Sequence, residues 1–121
     1  MHNFRKLQIW LDGMDIVDAI YGATRNFPSV EAYGLSSQMQ RAAVSIPSNI
    51  AEGSGKSNKD FVRFLSISVG SLFELETQIL IAERRGYISN ELSSNLQNKA
   101  IKLQRMISTF REQLDPQGEG H

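Results

Sequence analysis

The segment from Ser57 to about Arg85 carries apolar residues on two helical stripes at once, and this limits the fold more tightly than any other feature. Phe61, Leu65, Ser68, Leu72, Leu75, Ile79 and Ala82 step by three and four, which stacks them on one face of a helix. Val62, Val69, Phe73 and Leu80 form a second stripe, turned about 100° from the first by the helical repeat. Ser57, with Asp60 three residues on, has the capping-box arrangement, and Arg84, Arg85 and Gly86 supply a C-terminal stop. At about 1.5 Å per residue this helix is roughly 40 Å long. A helix facing one bundle core needs a single stripe. The surplus calls for a further partner, so Val62, Val69, Phe73 and Leu80 are the candidate subunit interface, the alternative being that part of this stripe faces a neighbouring helix of the same bundle.

Three more helices follow from spacing. Leu7, Trp10, Met14, Val17 and Tyr21 predict a helix from Leu7 to about Thr24, ended by Phe27-Pro28. Asp12, Asp15 and Asp18 step along another side of it as a solvated acidic face. A second helix is expected to start near Ser36, its cap, and to run through Gly53. Leu35, Met39, Ala42, Ala43, Ile46 and Ile50 give it an apolar face, and Pro47 predicts a kink rather than a break. The last helix begins after Tyr87-Ile88 with Ser89 or Asn90 as cap. Its Leu92, Leu96, Ala100, Leu103, Ile107, Phe110 and Leu114 form a heptad seam. The fold class is therefore all-α, an antiparallel up-and-down four-helix bundle over residues 1–114. Residues 115–121 carry no large apolar side chain and are expected to fray as a flexible tail.

Composition narrows the function. The 121 residues suit one domain, and thirteen Lys/Arg cancel thirteen Asp/Glu. That balance disfavours strong nonspecific nucleic-acid binding by a lone chain. With no cysteine, disulfides, thiolate zinc sites and cysteine nucleophiles are excluded. No apolar run approaches the ~18 residues of a membrane span. The start, Met1-His2-Asn3-Phe4-Arg5, lacks a secretory core. A cytoplasmic protein without a membrane partner is the expectation.

Known catalytic constellations are missing from the sequence. Gly53-Ser54-Gly55-Lys56-Ser57 has part of a phosphate loop, but Ile50 stands where the first glycine belongs, and a helix rather than a strand precedes it. The two histidines, His2 and His121, lie at opposite ends, which leaves di-iron and triad chemistry without an internal imidazole. Ser45, Ser48 and Ser71 have no base. No metal or cofactor is implied, and no enzyme.

The polar residues within the second and third helices are more informative. Gln38, Arg41, Ser45, Asn49 and Glu52 share a face. A hairpin turning near residues 54–57 brings Arg41 towards Gly70 and Gln38 towards Phe73 or Glu74, with Arg41 in reach of Glu74. Gly70-Ser71 would let the two backbones approach closely. The favoured reading is a buried network of Gln38, Arg41, Ser45, Asn49, Glu52 and Glu74 that fixes helix register. Its rival is a small-ligand or RNA pocket on the Arg41/Asn49/Glu52 face. Lys56, Lys59 and Arg63 near the hairpin, and Lys99, Lys102 and Arg105 on the last helix, are the candidate RNA contacts. Several copies would multiply so weak a patch, and ordinary surface charge is the competing explanation.

Tyr33-Gly34-Leu35-Ser36-Ser37-Gln38, followed by Arg41-Ala42-Ala43-Val44-Ser45-Ile46-Pro47-Ser48-Asn49-Ile50-Ala51-Glu52-Gly53, resembles the proteins encoded in intervening sequences of bacterial 23S ribosomal RNA genes. Gly70-Ser71-Leu72-Phe73-Glu74-Leu75-Glu76-Thr77-Gln78 is similar to that family's second block. Phe4-Arg5-Lys6-Leu7 with Trp10, and Phe27-Pro28 before Glu31, also fit. Gln40 stands where the family often has a second arginine beside Arg41. The resemblance implies a four-helix bundle that assembles as a homopentamer, with no established enzymatic activity. A related branch, the accessory proteins of diversity-generating retroelements, is similar in fold and binds a reverse transcriptase and nucleic acid. The functional expectation is a non-enzymatic oligomeric scaffold associated with RNA or a ribonucleoprotein partner. A protein–protein adaptor without nucleic acid is the alternative.

Overall fold

The computed structural model describes residues 2–118, so the part of the expected tail from Glu119 to His121 lies outside the described residues. Among the described residues there are four α-helices, α1 (Gln8–Thr24), α2 (Leu35–Ser54), α3 (Asn58–Arg84) and α4 (Asn90–Leu114), with 3-10 turns at Phe4–Lys6 and Ser29–Glu31. No strand occurs among the described residues. Along each neighbouring pair, residue numbers rise on one helix as they fall on the other. Ser68 Oγ donates to the Ile46 carbonyl at 2.9 Å, while Gly53 sits against Phe61 and Phe64. Gln104 Nε2 donates to Glu76 at 2.8 Å, and Arg111 donates to Ser66 at 2.9 Å. Gln40 Nε2 donates to Thr24 Oγ1 at 3.0 Å, and Gly13 lies against Ile46 and Pro47. Packing of α4 on α1 closes an up-and-down ring.

The first stripe of α3 is the core, since Phe61, Leu65, Ser68, Leu72, Leu75, Ile79 and Ala82 are all fully buried. Against it lie Met39, Ala42, Ala43, Ile46 and Ile50 of α2 and Leu96, Ala100, Leu103 and Ile107 of α4. Each large apolar side chain hidden this way contributes roughly 1.5–3 kcal/mol. By length and composition α3 is also long and apolar enough to cross a membrane, contrary to the sequence-based expectation. Ser66, Ser68, Gly70 and Ser71 interrupt its apolar run without adding charge. In this fold its first stripe is buried among the other helices, and the rest of its apolar surface is not fully covered.

On α1 the sequence points to the wrong stripe. Ile9, Gly13, Ile16, Ile20 and Ala23 face the core, whereas Leu7, Trp10 and Val17 are half-buried and Met14 and Tyr21 exposed. The two sets are offset by one residue, about 100° around the helix, and spacing fits both equally. Packing decides between them, because Gly13 lets Ile46 and Pro47 of α2 come in on its side.

Two local expectations also change. Ser36 is not the cap of α2, being buried inside the helix. The turn at Ser29–Glu31 brings Glu31 back instead, and Leu35 N–H donates to its Oε1 at 3.1 Å. Tyr87 Oη donates to Oε2 of the same carboxylate at 2.8 Å, which ties the start of α2 to the α3–α4 turn. That turn relies on Gly86, whose φ of 76° is left-handed, and on Tyr87 N–H donating to the Ala82 carbonyl at 3.0 Å. Close backbone approach occurs at Gly53, where a Cβ would lie 2.7 Å from both Phe61 Cδ1 and Phe64 Cβ. Gly70 is exposed with open space around it. The remaining caps stand as expected. Ser57 accepts from Asp60 N–H at 3.3 Å and Ser89 from Leu92 N–H at 3.1 Å, and α2 runs through Pro47 without a break.

Donation from Leu35 N–H, and then from Tyr87, holds the Glu31 carboxyl below the ordinary carboxylate range. These outweigh the burial that pushes it up, and Arg85 adds a smaller downward pull. A carboxyl depressed in the fold stabilises it above the unfolded value, near pH 4.3, and loses that contribution as pH falls through the folded value. Glu31→Gln should therefore melt below the wild type at pH 7, with the gap closing below about pH 4 in thermal scans. Gly53→Ala should cost about 1–3 kcal/mol in urea unfolding, as overpacking against Phe61 and Phe64.

Candidate functional site

The α2–α3 side is polar, but its buried part is uncharged. Asn49 Nδ2 donates to the Ser45 carbonyl at 2.8 Å and to Ser45 Oγ at 3.0 Å. Ser45 Oγ is 2.9 Å from Ser71 Oγ, with one hydroxyl donating to the other. With Ser68 bound to the Ile46 carbonyl, these contacts fix the register of α2 on α3. Gln38, Arg41, Glu52 and Glu74 face solvent, so the expected buried network loses its charged members. Arg41 and Glu74 do not pair. Among the described residues the ion pair within 4 Å is Arg63–Asp60, at 3.2 Å on the surface. Hydroxyls and an amide satisfy one another without the desolvation cost that a buried ion pair carries.

Arg41 and Glu74 nonetheless border one depression of about 320 Å³, lined also by Gln38, Ser45, Ser71 and Gln78. Gln78 is buried, and its Oε1 has no hydrogen-bond partner among the described residues. The sequence reading passed over Gln78, because a lone glutamine beside an apolar stripe gives no periodic signal.

The basic candidates divide between two places. Lys56, Lys59 and Arg63 stand at the α2–α3 turn and the first turns of α3. Arg63 pairs with Asp60, and Lys56 Nζ lies 5.7 Å from the Phe64 ring centroid. On α4, Lys99 and Lys102 border a groove with Asp12 and Asp15, so the acidic stripe of α1 looks onto the basic stripe of α4. Arg105 edges an apolar depression with Leu7, Ile9, Met106 and Phe110. His2 is not at a ragged end, since its N–H donates to the Ser54 carbonyl at 3.0 Å and its ring packs on Phe61 and Phe110. His121 lies outside the described residues. Among those described, no three His, Cys, Asp or Glu side chains gather to hold a metal ion.

Among the described residues several large apolar side chains are exposed, Ile67 and Ile81 of α3 included, and two strips bear on the candidate interface. Val62 and Val69 are covered within the chain, which narrows the candidate interface on α3 to Phe73, 57% exposed, and Leu80, 42% exposed. Ser66, Val69, Phe73, Glu76 and Leu80 step by three and four along one flank, and Ser66 and Glu76 bond α4. Phe73 and Leu80 thus belong to the α3–α4 side. The other strip is the misjudged stripe of α1. Trp10, Met14 and Val17 meet Val44, Pro47, Ser48 and Ala51 of α2 in a groove of about 310 Å³ without a charged side chain. Tyr21 extends it beside Val44 and Arg41. In an up-and-down ring of four helices the α1–α2 and α3–α4 sides face opposite ways.

A family model described as 23S rRNA-intervening sequence protein matches residues 5–109. Among solved structures, the chain is similar to a protein of unknown function from the S23 ribosomal protein family of Bacteroides thetaiotaomicron. The TM-score is 0.77 at 21% identity, covering 86% of this chain and 98% of that one. At that identity the likeness bears on the fold. No curated protein matches the chain.

Proposed function

This chain belongs to the 23S rRNA-intervening sequence protein family, and from that premise we propose that it is a non-enzymatic helical-bundle scaffold, assembled as a homopentamer, that associates with RNA or a ribonucleoprotein partner. The observation that carries the oligomer is the exposure of Phe73 and Leu80 on a helix whose other stripe already fills the core. Large apolar side chains set together on a surface mark a contact site when they form a continuous strip. The strip of Trp10, Met14 and Val17 on the other side adds to the surface to be covered. Asn49 already uses its amide on Ser45, which favours a scaffold over a small-ligand site on the Arg41/Asn49/Glu52 face.

The RNA part rests on Lys56 and Lys59, with Arg63 partly offset by Asp60, cations close in sequence beside the α2–α3 turn and repeated in every copy. Lys99 and Lys102, set against Asp12 and Asp15, are the weaker candidates, because the facing carboxylates offset their charge. An adaptor that binds only protein shares every feature except the salt response.

Phe73→Glu should give monomers or insoluble protein, since losing an interface anchor of this kind costs about 2 kcal/mol or more. Light scattering reads the mass, and an unchanged assembly would reject Phe73 as an anchor. For nucleic acid, filter binding to single-stranded RNA across a salt series should weaken steadily as salt rises. A flat response would remove phosphate contacts and leave the protein-only adaptor.

A further inference from the structure

We propose that copies join head to tail, with the α1–α2 groove of one copy covering the exposed α3 flank of the next and Arg41 pairing with Glu74 across the contact. This rests on the oligomeric reading above and specifies which surfaces meet. The two apolar strips differ in shape, one a groove between helices and the other a row of projecting side chains, Phe73 and Leu80. They also lie on opposite sides of the bundle. A contact between two unlike patches is heterologous and passes from copy to copy, and it closes into a ring where each step also turns the copy, as the proposed pentamer requires.

Charge complements the apolar match. The groove itself carries no charged side chain, and at its end Arg41 borders a depression with Tyr21 and Val44. Glu74 directly follows Phe73 and lies about 100° further around α3, on its α2 side. Both side chains are exposed, and neither has a hydrogen bond or ion pair among the described residues. Within one copy they border the same α2–α3 depression and therefore stand at one height along the bundle. A neighbour displaced sideways, with its helices alongside, sets its α3 next to this α2 and keeps that height. Arg41 of one copy then meets Glu74 of the next at the rim of the contact, where charge pairs fix partner and register.

Charge reversal tests this. Arg41→Glu and Glu74→Arg, each alone, should weaken assembly at least about tenfold in sedimentation at micromolar protein, as expected for like charges brought together. The double variant Arg41→Glu/Glu74→Arg should return to within about threefold of the wild type, since the pair is restored with its signs exchanged. Both positions are exposed and unpaired among the described residues, so helicity by circular dichroism should not change. If a reversal does lower helicity, Arg41→Gln and Glu74→Gln, singly and together, replace it. Their effects should then be clearly non-additive, because removing either partner already breaks the pair. Single reversals that assemble like the wild type, a double that fares no better than its singles, or additive neutral changes would each overturn the pairing while leaving the oligomer standing. A wild type that stays a single copy would overturn both.

Discussion

A helix at the corner of a four-helix bundle can hide only one side of itself, and both α1 and α3 carry apolar residues over about twice that arc. Each has a buried stripe, Ile9-Gly13-Ile16-Ile20 on α1 and Phe61-Leu65-Leu72-Leu75-Ile79 on α3. Each also has a second stripe about 100° away, which the bundle covers in part. On α3 the covering stops after Val62 and Val69, where α4 lies alongside, and Phe73 and Leu80 emerge. On α1 it stops at Trp10 and Val17, which α2 half-covers, leaving Met14 and Tyr21 exposed. Because α1 and α3 stand at diagonal corners, the uncovered strips look away from each other. The arrangement of any assembly follows from that diagonal.

The polar groups are sorted by charge. Between α2 and α3 the fold places Ser45, Asn49, Ser68 and Ser71, whose hydroxyls and amide satisfy one another or a helix carbonyl. The guanidinium of Arg41 and the carboxylates of Glu52 and Glu74 stay outside. An ion pair between α2 and α3 would have been costly to desolvate, and neutral groups set the same register without it. Glu31, the carboxylate that ties α2 to the α3–α4 turn, lies at the rim, where a helix N-terminus and a tyrosine hydroxyl supply its donors. Charge therefore remains available on the outside of α2 and α3, next to the apolar strips.

Much of the fold was legible in the sequence, since each of the four helices carries its own periodic stripe and the stripes of α2, α3 and α4 point inward as read. The reading failed on α1, where two stripes one residue apart fit the spacing equally and only the contact of Gly13 with Pro47 separates them. It failed at the start of α2 for a different reason. Ser36 follows the local capping rule, but a turn several residues upstream delivers Glu31 as the acceptor. For the candidate site, the face shared by Arg41, Ser45 and Asn49 was visible by counting. The choice of which members are buried depends on how deeply α3 packs, which counting does not give. Gly70 looked like the point of close approach because it is a glycine opposite Arg41, whereas the tight contact is made by Gly53 with the Phe61 ring and the Phe64 Cβ at the hairpin.

The most direct measurement is the mass of the unmodified protein in solution, by sedimentation velocity from low micromolar concentration upward. A single species of several chains, five in the proposed ring, is expected across that range. A stable species of one chain, with Phe73 and Met14 left in water, would contradict the claim that the surplus apolar surface of α1 and α3 is covered by other copies.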